Sequence, residues 1–318
     1  MNQKFFKRIG YNGNLEDISK KVCEDFGIGE FESNELIAIG YEDFNFILKT
    51  EKGKYVVKIF ASFRNDEECK KIIDINLKAN EKGIAVPRLL ESNQGYFYNT
   101  NINDINLRLC VLEHIAGENL YTLKYEVNED EIRFLACQAS LIDSLEIKPK
   151  FVYDEWAIVN FVKEFEKKWI YLQKEDLDKI KPLVEEFKNL NVDNFPHCFV
   201  HGDIISPNVM KDKDGKIWII DFAVSNYYPR IQEVAILACN ILFDESDKIK
   251  SEENLKIALE EYQKNIKLTD DELKILPLYI KFAHAMHILS ANYQKVVEKN
   301  DSDENEYFLR IGRKGLNL

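Results

Sequence analysis

The chain has 318 residues, 45% hydrophobic and 31% charged, which is enough apolar material for a sizeable core in an ordinary globular protein. Its formal net charge of −12 argues against a nucleic-acid partner, because a phosphate backbone demands clustered Lys and Arg. Six cysteines without a C-x-x-C pair, and a start from Met1 to Arg8 without an apolar stretch, speak against a disulfide scaffold and a secretory leader and for a cytoplasmic setting. A helix is predicted at about Leu15 to Phe26, followed by strand patterns at Leu36 to Ile39, Asn45 to Thr50 and Tyr55 to Phe60. Glu51 to Lys54 reads as a hairpin turn, and Gly40 to Phe44 as a longer one with a single glycine. Lys58 falls inside the third, apolar strand, where an ammonium is costly unless a phosphate or carboxylate meets it. The bland alternative is an edge-strand lysine snorkelling to water.

A helix over about Asn65 to Glu81 follows, then strand-like pieces at Tyr96 to Tyr98 and Leu107 to Leu112, completing a five-stranded antiparallel sheet. From Asn128 the pattern turns helical, with further helices expected at Asp154 to Gln173, Glu175 to Leu190, Ile231 to Phe243, Ser251 to Ile266 and Asp270 to Lys299, the last broken at Pro277. The apolar run from Val234 to Phe243 is too short to cross a bilayer. His284 and His287 form H-x-x-H on a helix without a third ligand nearby, and read as packing residues. A sheet-bearing first part and a mainly helical second part make an α+β plan.

Two apolar strands interrupt the helices. Cys198-Phe199-Val200 runs into His201-Gly202-Asp203-Ile204-Ile205-Ser206-Pro207-Asn208, and Lys216 to Ile220 runs into Asp221-Phe222, with a Lys213-Asp214-Gly215 turn between. An aspartate beside a substrate hydroxyl can orient it and accept its proton. An asparagine five residues on and a second aspartate can hold Mg2+ against nucleotide phosphates. Asp203 fits the first role, Asn208 and Asp221 the second; a plain surface loop of turn-forming Asp and Asn is the rival reading. His201 fits a loop-orienting role better than a chemical one, since Asp203 already supplies the base.

These motifs resemble the aminoglycoside phosphotransferase and choline kinase superfamily, small-molecule relatives of the protein kinases, over most of the chain. The resemblance implies a bilobal protein-kinase-like fold: an N-lobe over residues 1–112, a hinge at 113–117 and a catalytic C-lobe over 118–318. It implies ATP, with GTP as the alternative, and Mg2+ as cofactors. The turn containing Gly40, with Asn45 after it, would cover the phosphates, and Lys58 would contact the α- and β-phosphates. A carboxylate on the next helix, Glu68 with Asp74 behind it, would pair with that lysine. The link from Glu113 through Ile115 to Gly117 would offer its main chain to adenine, leaving the Glu113 side chain to solvent. Ala223 replaces a glycine found in eukaryotic protein kinases, which implies a constitutively formed site. Glu233-Val234-Ala235 stands where many of these enzymes have Asp-Leu-Ala, and reads as an anchor for the catalytic loop.

The expected activity is transfer of the γ-phosphate of ATP to a hydroxyl of a small molecule: an amino alcohol, a homoserine-like compound, a sugar or an aminoglycoside-type antibiotic. Asp154, Trp156, Tyr227, Tyr228 and His287 are candidates for the acceptor pocket. No nucleic acid or membrane partner is expected. A catalytically inactive nucleotide-binding protein is the first rival, although it would be expected to lack Asp203, Asn208 or Asp221. A protein kinase is the second, although it wants a longer activation segment than the one beyond Asp221.

Overall fold

Phe44, Phe46 and Leu48 alternate with Asn45, Ile47 and Lys49 along one strand, and this period of two sends the first set into a core and the second to the other face. The computed structural model describes residues 3–37 and 43–317, so the turn at Gly40 lies outside the described residues. Two units emerge: Met1–Gly117 with Asp212–Ile220, and Glu118–Lys211 with Asp221–Leu318.

The first unit opens with α1 (Gln3–Ile9) and α2 (Leu15–Phe26). The Asn14 side chain caps the start of α2, and Gly27 at φ 62° ends it in a conformation that favours glycine. Then come β1 (Phe31–Ile37), β2 (Phe44–Thr50), β3 (Gly53–Ile59), α3 (Asp66–Glu81), β4 (Leu89–Leu90), β5 (Tyr98–Ile102) and β6 (Ile105–Glu113). The strands form one antiparallel sheet in the order β1-β2-β3-β6-β4, with β5 also on β6.

The sheet has six strands where five were expected. The reason is the length of β6: β5 pairs with Ile105 to Leu109, and Leu89–Leu90 pairs with Leu112 and Val111 further along that edge, opposite β3. On one face, Phe44, Phe46, Val57, Ile59, Leu109 and Val111 pack with Ile9 of α1 and with Ile18 and Val22 of α2. Each fully buried side chain of this kind stabilises the fold by about 2 kcal/mol. On the other face Asn45, Lys58 and Cys110 stand opposite one another across β2, β3 and β6.

In the second unit β7 (Gly117–Asn119) leads to α4 (Leu120–Leu123) and α5 (Glu129–Asp143), the latter started by a capping box between Asn128 and Glu131. The helix expected from Asp154 begins later, as α6 (Phe161–Lys168), because the Asp154 carboxylate takes the Trp156 amide at 2.9 Å and holds the chain in a turn. Next are α7 (Lys174–Lys188), β8 (His197–Val200), β9 (Val209–Asp212), β10 (Ile217–Ile219) and β11 (Asn226–Pro229). β8 and β11 are antiparallel partners, with Val200 opposite Asn226. β10 lies within the stretch assigned to the first unit, behind a turn in which Asp212 accepts from the Lys216 amide and the Trp218 indole, both at 2.8 Å.

The closing helices are α8 (Ile231–Cys239), α9 (Lys248–Tyr262), α10 (Asp270–Val296) and α11 (Asp303–Gly315). α10 runs unbroken through Pro277. Pro277 is exposed, so water can satisfy the carbonyl that the proline leaves unpaired. α11 packs along α10 where glycines permit it: a Cβ on Gly312 would lie 2.8 Å from the His284 carbonyl, and one on Gly315 2.2 Å from the His284 ring. That close approach buries His284 and His287, the two packing histidines of the H-x-x-H motif.

Candidate active site

β8 delivers the chain into a loop tied down residue by residue. His201 is fully buried, with its ring 4.7 Å from that of Phe222. Its Nδ1 accepts from the Asp203 amide at 3.2 Å, so the ring orients the aspartate while carrying no proton on that nitrogen. Gly202, at φ 79°, turns the chain in a way that only glycine adopts without strain, and donates its amide to Glu233 Oε2 at 2.9 Å. Ser225 Oγ donates to the His201 carbonyl, and Ser206 gives both its amide and its hydroxyl to Asn240 Oδ1 at 2.9 Å. Glu233 thus sits as an anchor beneath the loop.

Asp203 emerges from this frame with its carboxylate on the Asn208 side chain: Asn208 Nδ2 donates to Asp203 Oδ2 at 2.6 Å and to the Asp203 carbonyl at 3.1 Å. Burial, then the charges of Asp154 and Asp221, push the Asp203 carboxyl well above the usual carboxylate range. Asp221 has φ 70°, a left-handed conformation uncommon outside glycine, and its Oδ1 accepts from the Ala223 amide at 3.2 Å. Asp154 and Asp221 therefore concentrate negative charge beside Asp203, where a cation would be stabilised.

The donor set fits Mg2+. With Nδ2 of Asn208 turned to Asp203, Asn208 Oδ1 is the amide atom left to face a metal, and Asp221 adds carboxylate oxygen. Among the described residues no group of three or more His, Cys, Asp or Glu is gathered as a metal cage. Mg2+ is commonly held with few protein ligands, since phosphates and water supply the rest.

In the first unit Lys58 is 8% exposed, with its ammonium 3.4 Å from Asp43 Oδ2. Asp43 Oδ1 accepts from the Ala61 amide at 2.9 Å and from Arg64 Nε at 3.0 Å. Glu68 does not supply the carboxylate expected here: its Oε2 takes the Asn65 amide at 2.8 Å, and its own amide returns to Asn65 Oδ1, closing a capping box at the start of α3. Asp74 is exposed on the same helix. Asn45 lies directly across the ladder from Lys58. Glu113 is not left to solvent either: its carboxylate takes the Arg88 amide at 3.0 Å and the Arg88 guanidinium at 3.1 Å, while its own amide donates to the Arg88 carbonyl. Ile115 is buried, and its carbonyl accepts from Gly117.

Of the acceptor-pocket candidates, Asp154 is the one whose charge bears on Asp203. Trp156 packs on His287 and Phe308, Tyr228 is buried against Ala157 and Val200, and Tyr227 stacks on His197. Sequence reasoning overlooks α11. Tyr307 Oη reaches Asn240 Oδ1 at 3.2 Å and Ser206 Oγ at 3.4 Å, and its ring lies 5.1 Å from that of Tyr121. Glu304, one turn earlier, is half-buried; burial raises its carboxyl, and its charge is felt by Tyr121. The available signal was Ser302 ahead of Asp303 and Glu304, a helix-starting pattern.

A six-stranded antiparallel sheet with a buried lysine, and a helical unit presenting Asp203, Asn208 and Asp221 around one loop, define a kinase-like phosphotransferase. Residues 33–264 match the phosphotransferase enzyme family (APH), and the chain belongs to it. It is similar to a homoserine kinase of Methylobacillus flagellatus, 22% identical over 295 residues, covering 90% of this chain and 88% of that protein. Among solved structures it resembles the amicoumacin kinase hAmiN in complex with AMP-PNP, Ca2+ and Ami, with TM-score 0.70, 18% identity and coverage of 100% and 96%. It also resembles the choline kinase LicA from Streptococcus pneumoniae, with TM-score 0.62, 15% identity and coverage of 95% and 98%. Among the described residues no helix is long and apolar enough to cross a membrane.

Proposed function

We propose that this phosphotransferase moves the γ-phosphoryl group of ATP to the hydroxyl of a small, amine-bearing alcohol. The observation that carries the reading is the Asp203 carboxylate, held by Asn208 on a loop anchored through Glu233 and crowded by the charges of Asp154 and Asp221. Asp203 accepts a hydrogen bond from the acceptor hydroxyl, aligns its oxygen for in-line attack and takes the proton as the bond to phosphorus forms. Because the transition state is loose, this orientation contributes more than early deprotonation. Mg2+, bound by Asn208 Oδ1 and Asp221, would offset the negative charge of the phosphate oxygens. Lys58, steadied by Asp43, meets the α- and β-phosphates, and the main chain around Glu113 and Ile115 meets the adenine edge.

The amine is read by Glu304, whose charge is felt by Tyr121, a ring that packs on Tyr307. A half-buried carboxylate near a phenol ring suits an ammonium by charge and by cation–π attraction. Homoserine and choline, named in two of the relatives, each carry an ammonium group near a hydroxyl. A panel of amino alcohols and amine-free diols, followed by ATP consumption with mass detection of the phosphorylated product, tests this. Turnover confined to the amines is expected; label on protein and on no small alcohol would sink the proposal.

A further inference from the structure

The carboxylate that meets Lys58 comes from just ahead of β2, and all three oxygens of that residue are engaged. Asp43 is buried; its Oδ1 accepts from the Ala61 amide at 2.9 Å and from Arg64 Nε at 3.0 Å, and its Oδ2 faces the Lys58 ammonium at 3.4 Å. Its main-chain oxygen accepts from Arg8 Nη1 at 3.1 Å. With Oδ1 taken by two donors the carboxylate cannot swing away, so Oδ2 is presented to Lys58 in one orientation.

Arg8 lies on α1, ahead of the sheet, and α1 is itself seated on the first unit. The Phe6 ring packs 5.0 Å from that of Phe44, and Ile9 enters the core. Arg8, next to Ile9, is half-buried at the rim. There its guanidinium takes the Asp43 carbonyl, and its own carbonyl accepts the Ser62 amide at 2.8 Å. From β6, Arg108 Nη2 donates to the carbonyls of Ala61 and Ser62, both at 3.3 Å. The amides of Ala61 and Ser62 are thus satisfied by Asp43 and Arg8, and their carbonyls by Arg108, which accounts for every main-chain polar group of the two residues. The turn that leaves β3 two residues after Lys58 is therefore fastened to α1, to the residue before β2 and to β6.

We propose that Arg8 is a positioning residue for Lys58: through the Asp43 carbonyl it fixes the acid that orients the ammonium, so that α1 belongs to the phosphate-binding apparatus. An arginine of the first helix thereby takes on a task expected of α3, whose Glu68 is committed to its own capping box. The consequence for ATP affinity rests on the phosphotransferase reading; the grip on Lys58 does not.

Labelling of the full-length protein with acetic anhydride, each lysine followed by peptide mass spectrometry, tests that grip without nucleotide or acceptor. Arg8→Met keeps the aliphatic stem and removes the donor. It is expected to raise the labelling of Lys58 by about threefold or more, with the exposed lysines unchanged, and Arg8→Lys, which still donates, should restore the wild-type value. Calorimetric titration supplies the second readout. Arg8→Met should weaken ATP binding by about fivefold while the KM of the acceptor stays the same. In a Lys58→Met background the same change should cost nothing further, a coupling that general destabilisation does not produce. Equal labelling of Lys58 in wild type and Arg8→Met would overturn the proposal, as would a loss of ATP affinity that persists undiminished in the Lys58→Met background. A wild type that binds no ATP would instead remove the phosphotransferase reading, and the labelling would then decide alone. Arg8→Ala carries the same comparisons if Arg8→Met does not fold.

Discussion

The Asn208 side-chain amide donates twice to Asp203, to its carboxylate at 2.6 Å and to its carbonyl at 3.1 Å, so the residue proposed to hold the metal also locks the aspartate proposed to meet the acceptor. Asp203→Asn keeps the shape of the site and removes its proton acceptor. The expected result is a kcat lower by roughly 10²–10⁴-fold with ATP affinity nearly unchanged, read by steady-state kinetics and calorimetric titration. Wild-type turnover in that variant would remove Asp203 from the chemistry.

Asp43 sits between two buried cations, Lys58 and Arg64, which are 8% and 3% exposed. Asp43→Asn takes the shared carboxylate from both, and a loss of about 3 kcal/mol of stability is expected. ATP should return part of this loss, because its phosphates replace the missing charge near Lys58. Lys58→Met is expected to raise the KM for ATP by about tenfold with a far smaller effect on stability. Melting curves with and without ATP, set beside ATP kinetics, check both; equal melting temperatures for wild type and Asp43→Asn would contradict the role given to Asp43.

Glu304→Gln retains size and removes charge beside Tyr121. For an amine-bearing alcohol the KM of the acceptor should rise by about tenfold while the KM for ATP stays the same. A uniform fall in kcat for every acceptor would instead point to a structural role for Glu304 at the start of α11.

His284 and His287 carry a pH signature. Burial lowers the first to about 4; burial and then the neighbouring His284 lower the second to about 3. Both are neutral in the fold and titrate near 6.5 once unfolded, so between those limits the unfolded chain binds more protons. Their contribution is present above about pH 6.5 and is lost as the pH falls toward 4, by about 3 kcal/mol for His284 alone. Urea unfolding at a series of pH values should show this slope, and His287→Leu should make it shallower.

How much of this was legible depended on whether the governing contact was local. The strand running into His201 and the turn at Lys213 to Gly215 were readable because hydrophobic pattern and turn chemistry act over a few residues. Asp43 was not, because its contacts with Lys58, Ala61 and Arg64 form only when β2 lies against β3. Glu68 was assigned across space although Asn65-x-x-Glu68 spells a capping box within one turn, and the local bond is the one observed. The far edge of β6 took a sixth strand as short as Leu89–Leu90, below the length at which alternation can be read. Pro277 looked like a breaker, but a proline on the wet side of a helix leaves its carbonyl to solvent.

Because α11 lays Tyr307 onto Ser206 and Asn240, that helix is a strut of the loop that carries Asp203. Trimming it is expected to leave that loop slack. An affinity handle for purification is therefore better placed away from α11.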